Sequence, residues 1–100
     1  MASLITIWWR DIPMQVIARE GRTTAKRVLD KRFQIAVDKA AMKSGKKSYG
    51  DYIEEMRRAE RPCGADVETE ATTEAARLDA AYTKEVLRKL VAAGGIGARL

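Results

Sequence analysis

Residues 3–21, Ser3-Leu4-Ile5-Thr6-Ile7-Trp8-Trp9-Arg10-Asp11-Ile12-Pro13-Met14-Gln15-Val16-Ile17-Ala18-Arg19-Glu20-Gly21, decide the fold. Ser3 to Trp9 is rich in β-branched and aromatic residues and reads as a strand. It is apolar on both alternating sets, Leu4, Thr6, Trp8 and Ile5, Ile7, Trp9, so it is either covered twice or left open to a partner. Arg10 to Pro13 interrupts it, because Pro13 lacks a backbone donor and biases Ile12 toward an extended conformation. Met14 to Glu20 resumes the strand pattern and Gly21 closes it. The expectation is a β-hairpin with a four-residue connection.

Outward from this hairpin the pattern turns helical. Thr23 or Thr24 offers an N-cap and Gly45 a stop, which predicts a long helix from Thr23 to Lys43. At helical spacing Ala25, Leu29, Phe33, Ala36, Val37 and Ala40 form one core stripe. Val28, Ile35 and Met42 form a second row, so the apolar arc is wider than one sheet face needs. Arg32 and Lys39 lie between the rows, their stems along apolar surface and their charges outside. Ser48-Tyr49-Gly50-Asp51 has capping-box spacing and opens a short helix to about Arg58. Pro62-Cys63-Gly64 breaks the chain, and a last helix runs from Val67 to Ala93. Its acidic residues come early and Arg88 and Lys89 late, which suits the helix dipole. Gly94-Gly95 ends it. The expected architecture is α+β: an N-terminal β-hairpin packed on a long helix, followed by a short helix and a C-terminal helix. Residues 1–93 form the single domain and 94–100 a frayed tail.

Composition removes several function classes. One hundred residues with six aromatics make one small domain, whose core is built mostly from Ala, Val, Ile, Leu and Met. Without histidine and with Cys63 alone, the chain cannot assemble the usual zinc sites or a Ser-His-Asp or Cys-His nucleophile. The lone cysteine fits a reducing compartment. No stretch approaches the roughly 18 apolar residues that span a bilayer, and Leu4 to Trp9 is too short for a signal peptide. The expectations are a cytoplasmic protein without membrane, metal or cofactor.

Four blocks carry a family resemblance: Trp9-Arg10-Asp11-Ile12-Pro13 with Gln15-Val16; Ala25-Lys26-Arg27 with Leu29; Arg32-Phe33-Gln34; and Asp38 with Ala40-Ala41-Met42. In their order and spacing the first sixty residues resemble a small bacterial family called virulence factor, seen mostly in alphaproteobacteria and as a C-terminal module elsewhere. The chain departs from the family pattern at Met56, where a tryptophan is expected before Arg57-Arg58. Its last third resembles the family only as a charged helix. Members sit beside corrinoid and folate methyl-transfer genes, so the resemblance implies an accessory role there.

Two residue sets are candidate binding sites. Trp8, Trp9, Arg10, Asp11 and Pro13, with Arg19, combine guanidinium and aromatic groups of the kind that anchor interfaces. The competing interpretation is a turn, in which Asp11 caps local donors, Arg10 pairs with it, and a tryptophan fills the core. The turn is favoured for the Arg-Asp pair, while one exposed tryptophan and two buried ones are evenly balanced. The second set is basic. Arg19 to Lys47 carries ten cations against Glu20, Asp30 and Asp38, a net +7, leaving −2 of the chain's +5 for the rest. Arg22, Lys26, Arg27, Lys31, Lys46 and Lys47 would then meet nucleic acid. Asp30 and Asp38 interrupt that helix face, and a solvated surface is favoured. Cys63 is expected to be accessible, with Arg61 thin support for a reactive thiol. The leading function is a non-catalytic accessory module that binds a protein partner, or itself as a homodimer. Nucleic-acid binding is the alternative, and an enzyme would need a site shared with another chain.

Overall fold

A computed structural model describes residues 1–45 and 48–97. Its first two strands are β1 (Ser3–Trp9) and β2 (Ile12–Glu20), antiparallel from Ser3 opposite Arg19 to Trp9 opposite Ile12. The connection is two residues, Arg10-Asp11, rather than the four expected, because Ile12 and Pro13 already belong to β2. The register slips between Ile7, opposite Gln15, and Trp8, opposite Pro13, so Met14 is the extra residue of a bulge. The pairing of β2 with its other neighbour starts at Gln15. Pro13 therefore lies where β2 has one partner and a bulge, a setting that tolerates a missing donor.

Residues Thr23–Val28 form β3, not the first two turns of a helix. Gly21, at φ 57°, begins a two-residue turn that sets Glu20 opposite Thr23. The helix α1 (Lys31–Lys43) starts later, capped by Asp30, whose side chain accepts the Arg32 N–H. The short helix α2 (Tyr49–Glu54) is capped by Ser48 as expected. It ends early, and Met56–Pro62 becomes β4, antiparallel to β1. That charged sequence has no strand pattern of its own; it is extended because β1 offers it an unpaired edge. The last expected helix is two helices, α3 (Val67–Ala81) and α4 (Lys84–Ala92), with Thr83 capping the second. Arg32 Nη2 donates to the carbonyls of Asp79 and Tyr82, satisfying the end of α3 from fifty residues away.

Together these make a four-stranded antiparallel sheet, β3-β2-β1-β4, with four helices. Cross-strand partners share a face. Leu4, Ala18 and Ala25 are aligned, as are Thr6, Val16 and Arg27. This face meets α3, whose Val67, Ala71 and Leu78 are buried, and Arg27 reaches Glu68 and Thr72. The opposite face aligns Ile5 with Ile17 and Lys26, and Ile7 with Gln15 and Val28. Val28 there is 72% exposed. The core joins sheet residues to Phe33, Ala36, Val37, Ala40, Leu87 and Leu90, aliphatic and alanine-rich as composition implies. Among the described residues, no helix is long and apolar enough to cross a membrane.

Candidate docking surface

The Trp9-Arg10-Asp11-Ile12-Pro13 segment is turned inward. Trp9 is 0% exposed; its Nε1 donates to the Tyr52 carbonyl at 2.9 Å and its ring lies 5.8 Å from that of Tyr52. Trp8 is half-buried, with its edge toward Tyr82 at 6.1 Å and the Arg57 guanidinium 4.8 Å over its ring. The two indoles alternate across β1, as expected, and each has its own cover. α1 reaches both, through Phe33 against Tyr82 and through Ala40 beside Gly95 and Trp9.

Arg10 adopts φ 51°, unusual for a residue with a Cβ. Its backbone N–H donates to the Glu55 carbonyl, Nε to Glu55 Oε1 at 3.1 Å, and Nη1 to the Gly94 carbonyl at 2.8 Å. Asp11 donates its N–H to Gly95, accepts the Gly97 N–H on Oδ2 at 2.6 Å, and pairs with Arg57 at 3.4 Å. Arg10 and Asp11 thus do not pair with each other; one holds the end of α2 and the other the residues after α4. Gly94 to Gly97, assigned to the tail by sequence, are the partners of this turn, and residues 98–100 lie outside the described ones. Pro13 is buried. Arg19 is exposed at the opposite end of the hairpin, across from Ser3, and does not join the set.

The basic candidates are dispersed. Arg22 lies in the β2–β3 turn and Lys31 begins α1, both exposed. Lys26 and Arg27 are neighbours on a strand and so point to opposite faces, Arg27 being held by Glu68. Lys46 and Lys47 lie outside the described residues.

Titratable groups elsewhere serve the fold. Glu74 is buried and takes a bidentate pair from Arg77, with Arg61 of β4 at 3.6 Å; the Arg77 hydrogen bonds hold its carboxyl below the usual range. Burial, and then Glu70, push the Cys63 thiol up, which disfavours the thiolate. Burial likewise raises Tyr82. Among the described residues, no three His, Cys, Asp or Glu side chains are grouped to hold a metal ion.

The surface with the most distinct chemistry is a groove of about 320 Å³ between α1 and α4. From α1 come Arg32, Ile35, Ala36 and Lys39; from α4 come Lys84, Leu87, Arg88 and Val91. Both sets follow i, i+3, i+4, i+7 spacing, which places each on one stripe of its helix. The floor is Ile35, Ala36, Leu87 and Val91, and four cations stand along it. Ile35 is 46% exposed, and Met42, seven residues further along α1, is 66% exposed. Arg32 is tied to Asp79 at 3.0 Å and Arg88 to Glu85 at 3.7 Å. Lys39 and Lys84 have no ion pair among the described residues. The site residues on α4 escaped sequence reasoning, although the second apolar row of α1, Ile35 and Met42, was its visible half.

No curated protein and no solved structure matches the chain. The family described as virulence factor matches residues 7–91, through the last third and not only the first sixty residues, and the chain belongs to that family.

Proposed function

We propose that this protein is a non-catalytic accessory module that acts by docking another protein into the α1–α4 groove. The observation that carries this is a groove between two helices in which exposed Ile35 and half-buried Val91 stand above buried Ala36 and Leu87, bordered by cations. An apolar floor reached from solvent through exposed side chains, with a charged rim, is the composition of a recognition site. The Trp9–Pro13 segment supports the fold beneath it, because Trp9 is packed under the same helix that supplies Ile35. Corrinoid and folate methyl-transfer proteins are the partner class that the family resemblance implies. Nucleic acid fits the groove less well, since phosphates gain nothing from an apolar floor.

The test is a photo-reactive phenylalanine analogue placed at Ile35 and, separately, at exposed Val28 at the end of β3. Irradiation in host cells is followed by nuclease treatment and mass spectrometry of the adducts. A defined protein adduct from position 35, absent from position 28 and lost when Lys39→Glu and Lys84→Glu are added, is expected. Adducts from position 28 alone, or material removed by nuclease, would contradict the proposal.

A further inference from the structure

We infer that the occupant of this groove is an acidic amphipathic helix contributed by the partner; this rests on the docking function proposed above and specifies it. Charge complementarity carries the inference. Arg32 and Lys39 stand on the α1 side and Lys84 and Arg88 on the α4 side; no carboxylate is among the described lining residues, and Arg32 and Arg88 are paired with Asp79 and Glu85 just outside them. Lys39 and Lys84 are without ion pairs among the described residues, so carboxylates on a bound segment would be their first. Long basic stems laid along an apolar strip present their charges at its rim, where acidic residues flanking an apolar ridge would meet them.

The form of the occupant follows from the walls. Both walls are helices, whose backbone groups are already paired within themselves. An extended peptide would lie against them with its own N–H and C=O groups unpaired over an apolar floor, a costly arrangement. A helix brings its backbone already satisfied and presents apolar side chains at i, i+3, i+4 and i+7. Each wall runs over eight residues, about seven steps of 1.5 Å or roughly 10 Å, which matches about two helical turns. Met42 continues the α1 row beyond the groove and gives room for a third turn. An acyl chain fits the site less well, because the groove is open along its length and would leave one side of the chain in water.

The probe is a fluorescent synthetic helix of about sixteen residues with leucines at i, i+3, i+4 and i+7 and glutamates beside them. A second peptide carries lysine in place of every glutamate, and phosphatidylglycerol vesicles form a third arm. Anisotropy titrations use the full chain, its Ile35→Asp variant and its Lys39→Glu/Lys84→Glu variant, each first verified as folded by circular dichroism. The glutamate peptide is expected to bind at least about tenfold more tightly than the lysine peptide, and each variant to lose at least about tenfold. Carbodiimide should couple Lys39 or Lys84 to a glutamate of the bound probe. Equal binding of the two peptides, indifference to both variants, or variant-sensitive binding of vesicles without binding of the peptide would overturn the inference. If position 35 captures a partner in cells through a basic or extended segment, docking stands and the acidic helix falls.

Discussion

Gly97 donates its backbone N–H to Asp11 Oδ2 at 2.6 Å, joining the first hairpin turn to the segment after the last helix. With Arg10 on Glu55 and Gly94, the turn fastens two distant parts of the chain, the end of α2 and the segment after α4, around the indole of Trp9. The conspicuous composition of this segment is therefore accounted for by internal bonds. A hydrogen bond to a charged acceptor contributes about 1.5–3 kcal/mol, and partial exposure of Asp11 lowers that. Asp11→Ala is expected to lose about 1–2 kcal/mol in urea unfolding, with faster amide exchange at Gly97. Unchanged exchange there would show that the clasp carries no weight.

Gly95 and Gly21 separate backbone strain from crowding. Both have positive φ, 88° and 57°, but a Cβ at Gly21 meets nothing within 4 Å, whereas one at Gly95 falls 2.8 Å from Trp9 Cζ3. Gly21→Ala is expected to cost about 1–2 kcal/mol for the left-handed conformation. Gly95→Ala adds overpacking of about 1–3 kcal/mol. Equal losses would mean that the ring moves aside freely.

Glu74 sets a pH dependence. Its folded carboxyl titrates below its unfolded value, chiefly through the Arg77 hydrogen bonds. Its contribution to stability is therefore full above the ordinary carboxylate pKa and is lost as pH falls through the depressed folded value. Unfolding of the native chain and of Glu74→Gln, followed from neutral to acid pH, should show a gap that closes on acidification. A gap that widens toward acid would reverse the assignment.

Arg32 ends α3 with Nη2 on the Asp79 and Tyr82 carbonyls while Nη1 pairs with the Asp79 and Asp30 carboxylates, a planar two-nitrogen arrangement that lysine cannot reproduce. Arg32→Lys is expected to cost about 1–2 kcal/mol and to speed amide exchange around Tyr82 and Val86, while exchange in β1 and β2 holds. Uniform loss across the sheet would place the role of Arg32 elsewhere.

The α+β class, the first hairpin, the Ser48 cap and the helical stripe of Phe33, Ala36, Val37 and Ala40 are legible in the sequence, because each rests on local spacing. Thr23–Val28 misleads for an identifiable reason: Ala25 and Leu29 are both buried and spaced i, i+4, so a strand and the residue after it imitate a helix face. Asp30, a strong N-cap, marks the true start. β4 is illegible locally, since Met56–Pro62 holds helix-forming residues and extends only by pairing with β1. The break at Tyr82-Thr83 is met by Arg32 from α1, and the groove forms from two stripes far apart in the chain.

If the Trp9–Pro13 segment serves the fold and the α1–α4 groove the proposed docking, mutation separates the two roles. The most direct measurement is partner capture per folded molecule by Asp11→Ala and Ile35→Asp, with urea unfolding of both. Ile35 is on the surface, so Ile35→Asp should keep its stability within about 0.5 kcal/mol and lose the partner. Asp11→Ala should be less stable and, where folded, capture the partner as the native chain does. A folded Asp11→Ala that loses the partner while Ile35→Asp retains it would make the turn, and not the groove, the recognition site.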